Sequence, residues 1–215
     1  LYMQSNLYSQ YIGSTTDFRL WNYARSGAEI NSGMNTAPAA NAPGLQSLIL
    51  FSNLFNGSGQ LIKNACSNLP SLSLDKITAG TNITPAFNCT GTIFPSLLTP
   101  TCAARFNGTG RVDVTSSLGV FPAKGTIEFW LNQPVYTNYQ IPLSTTLYST
   151  TDVEGILFQT YSNGDIIVEF GGPGNVVDYT SYGELLLPGK NYHIAVTWDT
   201  IAKNYKGYLN GKLKF

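Results

Sequence analysis

The side chains that could carry out acid–base chemistry in this sequence are few and far apart. The single histidine, His193, and Glu128 each lie in an alternating apolar segment. Hydrolysis by paired carboxylates needs two acids that converge on one bond, and no second acid lies near Glu128 on the same face of its strand. We therefore expect a protein that is not an enzyme, in which His193 is packed as a structural residue.

Aromatic and amide side chains offer a second kind of chemistry, the binding of sugars. The C–H face of a sugar ring stacks on Trp or Tyr, and Asn and Asp bond to its hydroxyl groups. Trp130 and Trp21 lie opposite the apolar series of their strands, which would place them on a concave, wet sheet surface; the alternative is that they pack against a second layer or a neighbour. The aromatic residues that we predict to bind a ligand are Trp130, Trp21, Tyr136, Tyr139, Tyr179 and Tyr182.

Three cysteines and four glycosylation sequons share one segment of the chain. With a single His and no metal-ligand spacing among the cysteines, a zinc site is not expected. Only 11% of the residues are charged, and the abundance of Asn, Ser, Thr, Gly and Tyr is typical of an extracellular β protein. We predict one disulfide and one free thiol among Cys66, Cys89 and Cys102, with the pairing left open. The Asn-X-Ser/Thr sequons begin at Asn56, Asn82, Asn88 and Asn107.

The balance of charges argues against nucleic acid as a partner. The chain has 12 Lys and Arg against 12 Asp and Glu, and the basic residues form no patch. No apolar run reaches the roughly 18 residues of a membrane-spanning helix. We therefore expect partners other than nucleic acid and no membrane span.

The elements that must position these side chains are strands. Residues 125–131 and 192–199 alternate apolar with polar residues, and residues 155–160 and 165–170 are two further strand segments that flank a turn. Ser162-Asn163-Gly164 and Asn210-Gly211 are hairpin turn signals, the second of them the strongest in the chain. Ser26 and Glu29 have the capping-box spacing of one short helical turn, which we expect to close the edge of a sheet. Many short strands with Gly and Asn turns predict an antiparallel β-sandwich.

Several segments resemble the laminin-G-like, concanavalin A-like jelly rolls. Residues 191–199 (NYHIAVTWD) and 206–215 (KGYLNGKLKF) are similar to the family's late "WHHVAVTWD" strand and "YVDGKL" hairpin. Residues 103–113 resemble its "ALRFDGTGDYVDV" strand, and residues 125–131 resemble its "FTIEFWVKP" strand. The resemblance implies an all-β fold, an antiparallel β-sandwich jelly roll of the concanavalin A-like type.

The order of these segments predicts an unusual domain organisation. The family's closing elements are similar to residues at the N-terminus, so residues 1–30 are interpreted as the closing strands of a laminin-G-like domain. Residues 31–44 form a linker with two prolines, and residues 45–215 form a jelly roll that lacks its own last strands. The chain is either circularly permuted or a fragment of a tandem array. Because proteins avoid exposed strand edges, residues 1–30 are expected to supply the missing strands, within the chain or by strand exchange between neighbours.

The resemblance also implies a candidate metal. Laminin-G-like and pentraxin-like sandwiches hold Ca²⁺ at a loop rim through Asp, Asn and carbonyl oxygens, which suit this hard cation. The candidate calcium ligands are Asp113, Asp17, Asp152 and Asp199.

The expected function is that of a non-enzymatic recognition module, extracellular or on a cell or virion surface. It would bind glycans or a neighbouring protein subunit in adhesion. The alternative is a structural building block of a virion coat or cell-surface array, held together by tandem or strand-exchanged packing.

Overall fold

The computed structural model describes residues 2–3, 11–36, 38–39, 42–49, 86–88, 103–107, 112–113, 122–137, 139–145, 155–171 and 177–215. In this part of the chain there are fourteen strands and one short helix. The strands are β1 (Tyr2–Met3), β2 (Ile12–Trp21), β3 (Leu45–Ile49), β4 (Ala86–Asn88), β5 (Ala103–Asn107), β6 (Val112–Asp113), β7 (Lys124–Asn132), β8 (Gln140–Ser144), β9 (Gly155–Thr160), β10 (Ile166–Gly171), β11 (Val177–Ser181), β12 (Asn191–Asp199), β13 (Asn204–Leu209) and β14 (Lys212–Leu213); the helix α1 is Gly27–Gly33.

The described strands form two antiparallel sheets. One has six strands in the order β11-β10-β9-β8-β1-β6. The other has eight strands, with the order β14-β13-β12-β7-β2-β5-β4 and β3 paired to β2. In the described residues, no helix is long and apolar enough to cross a membrane.

Strand β2, from the N-terminal segment, lies inside the eight-stranded sheet of the same chain. It pairs with β7 on one side, with Thr15 opposite Leu131 and Leu20 opposite Ile127, and with β5 and β3 on the other. The register with β7 shifts between Thr16 and Arg19, where Asp17 has a φ of 53°. The domain boundaries, and the choice between a permuted chain and an array fragment, stay predictions.

The two-residue period of the strands builds the core between the sheets. Ile127, Phe129 and Leu131 of β7 are fully buried there, beside the alternate residues of β12. The ring of Phe129 meets that of Phe158 from the six-stranded sheet edge to face, with 5.1 Å between centroids. The predicted core face of β12 is confirmed, because Ile194, Val196 and Trp198 belong to the same cluster.

Both predicted hairpin turns are confirmed. Ser162–Gly164 joins β9 to β10, whose residues pair from Thr160–Ile166 to Gly155–Gly171. Asn210 and Gly211 join β13 to β14 and both have positive φ, 50° and 74°, as a two-residue hairpin turn requires.

Helix α1 begins with the predicted capping box. The Ser26 side chain accepts a hydrogen bond from the Glu29 N–H, and the Glu29 carboxylate accepts one from the Ser26 N–H at 2.7 Å. The helix lies beside β14, the edge strand of the eight-stranded sheet, and the expectation that this turn closes a sheet edge stays a prediction. Ile30 is buried in a cluster with Ala195 and Tyr208, so α1 lies over the outer face of the eight-stranded sheet, the face turned away from the core.

Candidate binding site

The outer face of the eight-stranded sheet carries a buried group of charged side chains. We call Asp17, Arg19, Arg25, Glu128 and His193 the ionic cluster; each is at most 8% exposed. Nε of Arg19 donates to Oδ1 of Asp17 at 3.0 Å, and Arg25 forms an ion pair with Glu128. Nη1 of Arg19 lies 4.0 Å and Nε2 of His193 lies 3.4 Å from Oε2 of Glu128. The Glu128 carboxylate therefore lies within 4.0 Å of three basic side chains, those of Arg19, Arg25 and His193.

Residues 22–36 cover the ionic cluster and the sheet face around it. Arg19 donates to the carbonyl oxygens of Gly33 and Thr36 at 2.9 and 3.0 Å. Arg25 donates to the Glu29 carbonyl oxygen at 2.7 Å, and Nε1 of Trp130 donates to the Met34 carbonyl oxygen at 3.1 Å. Arg19 and Trp130 of the sheet thus bond to backbone carbonyls of this segment, and Arg25 of the segment pairs with Glu128 of the sheet.

Burial and neighbouring charges move the pKa values of the two carboxyl groups in opposite directions. Burial raises the pKa of Asp17, and the paired Arg19 offsets only part of that effect. For Glu128, burial acts the same way, but the contact with His193 and the charges of Arg25 and Arg19 outweigh it and hold the pKa below 4.5. Glu128 is therefore held as a carboxylate, fully buried beneath residues 22–36.

Three of the predicted ligand-binding aromatics are buried. Trp130 and Trp21 are each 4% exposed, and the Arg25 guanidinium lies 4.4 Å from the centre of the Trp21 ring. Tyr182 is 1% exposed and donates to the Ala195 carbonyl oxygen at 3.1 Å. The sequence predicts that Trp130 and Trp21 face a wet surface, but in the structure both are buried. Their side of the strand is as the alternation predicts, but residues 22–36 cover it.

The outer face of the six-stranded sheet carries a different surface at the β9–β10 hairpin. Ile166 and Val168 face the core, so Ile167 and the residues paired with it, Gln159 and Ser181, lie on the outer side. An open cleft of about 340 Å³ is lined there by Tyr161, Ser162, Asn163, Asp165 and Ile167.

An exposed tyrosine lies next to this cleft, against one of its lining residues. Tyr139 is 55% exposed, and its ring centroid lies 5.4 Å from that of Tyr161. Its backbone φ is 60°, an uncommon conformation for a side chain of this size. We call Tyr139, Tyr161, Ser162, Asn163, Asp165 and Ile167 the tyrosine cleft.

Hydrogen bonds within the hairpin hold the polar groups of the tyrosine cleft in place. Oη of Tyr161 donates to Oε1 of Gln159 at 3.1 Å, and Oγ of Ser181 donates to Oδ1 of Asp165 at 2.7 Å. The Asn163 side chain accepts from the Asp165 N–H at 2.9 Å. Two aromatic rings, an amide, a hydroxyl and a carboxylate therefore meet in one shallow, open site.

Residues 106–215 match the family model described as the concanavalin A-like lectin/glucanases superfamily, of the laminin G type. The chain belongs to this superfamily. The resemblance found in the sequence and the all-β, antiparallel sandwich fold are thereby confirmed. No curated protein and no solved structure matches the chain.

In this concanavalin A-like domain, the tyrosine cleft contains one of the predicted ligand-binding residues, Tyr139. Tyr136 is partly buried against the core. Sequence reasoning missed Tyr161, Asn163 and Asp165, since it treated residues 162–164 only as a turn. The signal that could have found them is a turn that contains an amide side chain, with a tyrosine immediately before it and a carboxylate immediately after it.

Two of the candidate calcium ligands are described, and each has another partner. The Asp17 carboxylate bonds to Arg19, while Asp199 accepts from the Ile201 and Ala202 N–H groups and pairs with Lys124 at 2.8 Å. They lie along β2 and β12 roughly 15–20 Å apart, too far to share one ion. Within the described ranges, no group of three His, Cys, Asp or Glu side chains could hold a metal. Calcium binding stays a prediction.

The remaining predicted residues are not described in full. Cys66, Cys89, Cys102, Asn56, Asn82 and Asp152 lie outside the described residues. Asn88, Asn107, Asp113 and Tyr179 lie in β4, β5, β6 and β11, and only their strand placement is described. The disulfide and the glycosylation sites stay predictions.

Proposed function

We propose that this protein is a non-enzymatic recognition module of an extracellular, cell or virion surface that binds glycans through the tyrosine cleft. The observation that carries the proposal is Tyr139, a large aromatic ring left exposed beside Tyr161, which itself lines a cleft with polar side chains. Membership of a superfamily whose name includes lectins supports the same function, and laminin-G-like domains are typically extracellular.

The chemistry of the cleft suits a sugar. A pyranose ring has apolar C–H faces, which stack on tyrosine, and a rim of hydroxyl groups, which bond to amides, hydroxyls and carboxylates. Both tyrosines supply rings, and Ser162, Asn163 and Asp165 supply polar groups in the lining of the cleft. Ile167, which is 9% exposed, adds a small apolar contact, so the cleft offers apolar and polar contacts to one ligand.

The opposite outer face supports glycan binding less well. Trp130 and Trp21 lie beneath residues 22–36, and their rings contact His193 and Arg25. A ligand would have to displace the hydrogen bonds that Arg19 and Trp130 make to that segment and the ion pair between its Arg25 and Glu128. We therefore place the binding site at the tyrosine cleft.

The proposal is tested by glycan-array screening of the whole chain, followed by calorimetry with the strongest ligand. Tyr139→Ala should weaken binding about tenfold, the effect of losing roughly 1.4 kcal/mol of stacking and packing. Its melting temperature should fall by no more than about 2–4 °C, since the side chain is 55% exposed and loses one ring contact, with Tyr161. The matched control is Ile201→Ala, which removes a side chain 75% exposed beyond the far end of β12 and should leave affinity unchanged.

Two outcomes would contradict the proposal. A folded protein that binds no glycan on the array would reject glycan recognition, and an unchanged affinity in Tyr139→Ala would reject this site.

A structural role as a building block of a surface array is the second candidate function, and the exposure of Leu185 and Leu187 on the loop before β12 favours it. Sedimentation that shows concentration-dependent assembly without glycan binding would support that role.

A further inference from the structure

We propose that the tyrosine cleft selects uncharged sugars and rejects glycans that carry carboxylate, sulfate or phosphate groups, and that Asp165 sets this selectivity. The inference rests on the proposed function and names the class of ligand that the same site takes.

The side chains of the cleft give it a single negative charge. Its lining consists of Tyr161, Ser162, Asn163, Asp165 and Ile167, and none of these is a Lys, Arg or His. Proteins bind anionic groups mainly through Arg and Lys, whose charge-assisted hydrogen bonds are about twice as strong as neutral ones. The described lining has no such donor, and the charge that it does carry repels an anion.

Three backbone N–H groups of the hairpin are not free to take the place of a basic side chain. Successive free N–H groups in a turn can bind an anion. In this turn, however, the N–H of Tyr161 donates to the Asp165 carbonyl oxygen and the N–H of Gly164 donates to the Tyr161 carbonyl oxygen, both at 2.9 Å. The N–H of Asp165 donates to the Asn163 side chain. These three donors are already used within the hairpin.

Asp165 is held in a position to bind hydroxyl groups. Oδ1 accepts from Oγ of Ser181, and that hydroxyl in turn accepts from the Gly183 N–H at 2.9 Å, so the carboxylate is fixed in orientation. An ionised carboxylate is only an acceptor, and its bonds to hydroxyl groups are short and strong. Asp165 therefore attracts the hydroxyl rim of a neutral sugar and repels a charged substituent at the same place.

The extent of the cleft limits the length of the ligand. Beyond Ile167 on the same sheet face, Gln159 and Glu169 are each 4% exposed, so the open surface ends there. A volume of about 340 Å³ is at the small end of the range for ligand pockets, roughly 300–1,000 Å³. The site fits the end of a glycan, and a charge on that terminal sugar would lie close to Asp165.

The test uses the whole chain and pairs of glycans that differ only in charge. Each neutral glycan on the array is accompanied by a form whose terminal hexose is the corresponding hexuronic acid and by a form sulfated on that hexose, and the strongest neutral ligand and its two charged forms are then titrated by calorimetry. The neutral form should bind at least about tenfold more tightly than either charged form at low ionic strength. Asp165→Asn should weaken binding of the neutral form and reduce severalfold the ratio of neutral to charged affinity. Asp165→Lys should reverse the preference, so that the charged forms bind more tightly than the neutral form.

Two controls separate charge from changes in folding. Asp199→Asn removes an aspartate that pairs with Lys124 at the far end of β12, and it should leave the ratio unchanged. Raising the salt from about 20 mM to about 500 mM should narrow the ratio in the unmodified protein, because salt screens exposed charges. The second control needs no substitution and so does not depend on a folded variant.

The outcomes distinguish this inference from the proposed function. If charged forms bind as tightly as their neutral parents, the selectivity is refuted while glycan binding stands. If Asp165→Asn keeps the full ratio, Asp165 is not its source. If no glycan of any class binds, the proposed function fails, and the inference fails with it.

Discussion

Glu128→Gln is the substitution that tests the ionic cluster most directly. The side chain is 0% exposed, and it forms an ion pair with Arg25 and lies 4.0 Å from Arg19. Glutamine has nearly the same volume, so the change creates no cavity and removes only the charge. The four ions Asp17, Arg19, Arg25 and Glu128 then no longer balance, and one buried cation is left without a partner.

Removing one partner of a buried ion pair costs about 3–5 kcal/mol of unfolding free energy. That is a large fraction of the roughly 5–15 kcal/mol that stabilises a typical domain. For a chain of this size, the melting temperature should fall by roughly 6–20 °C, at about 2–4 °C per kcal/mol. Urea denaturation at pH 7, followed by tryptophan fluorescence, measures the free energy, and a thermal scan measures the melting temperature.

The matched control is Glu184→Gln, the same chemical change in an ion pair at the surface. Glu184 pairs with Lys214, and its side chain is 50% exposed. Because exposed pairs are worth about 0–1 kcal/mol, this variant should stay within about 1 kcal/mol of the unmodified protein. If Glu128→Gln also loses less than about 1 kcal/mol, the ionic cluster does not hold residues 22–36 to the sheet as we argue.

The pH dependence of the unfolding free energy of the same variant shows whether the charge of Glu128 stabilises the folded state. The pKa of Glu128 is held below 4.5, so the folded state binds its proton less readily than the unfolded state does. Its contribution to stability is therefore present above pH 4.5 and is lost as the pH falls through its lowered pKa. The stability difference between Glu128→Gln and the unmodified protein should shrink below that pH. A difference that stays constant down to the acid limit would refute the electrostatic explanation.

Two further substitutions test local features. Glu169 is 4% exposed on β10, and burial raises its pKa to about 7, so its charge destabilises the folded state above that pH. Glu169→Gln removes this charge and should raise the unfolding free energy by up to about 3 kcal/mol at pH 8–9, but hardly at pH 4.5. Urea denaturation at the two pH values checks this, and an equal change at both would contradict it. Ser26→Ala removes the helix cap and should lower the unfolding free energy by about 1 kcal/mol, which a thermal scan detects as a lower melting temperature. The control is Ser32→Ala, at an exposed position within α1, which should leave the melting temperature unchanged. Equal losses of stability in the two variants would mean that the cap is not the cause.

The sequence by itself determined the features that depend on near neighbours. The alternation in residues 125–131 and 192–199 showed which side of β7 and β12 faces the core, because successive strand side chains point to opposite faces. Asn210-Gly211 predicted a hairpin, because these residues tolerate the positive φ of a tight turn. Ser26 and Glu29 predicted the capping box from a three-residue spacing. Each feature requires only a few consecutive residues.

Only the tertiary structure decided what covers each face of the sheets. The alternation placed Trp130 on the outer side of β7, but it could not show that residues 22–36 cover that side or that Glu128 is paired with Arg25 there. It likewise could not show that Tyr139 lies against Tyr161 in an open cleft. The period of a strand determines which way a side chain points, whereas its burial depends on which distant segment packs against it. That packing is set by the pairing of strands far apart in the chain.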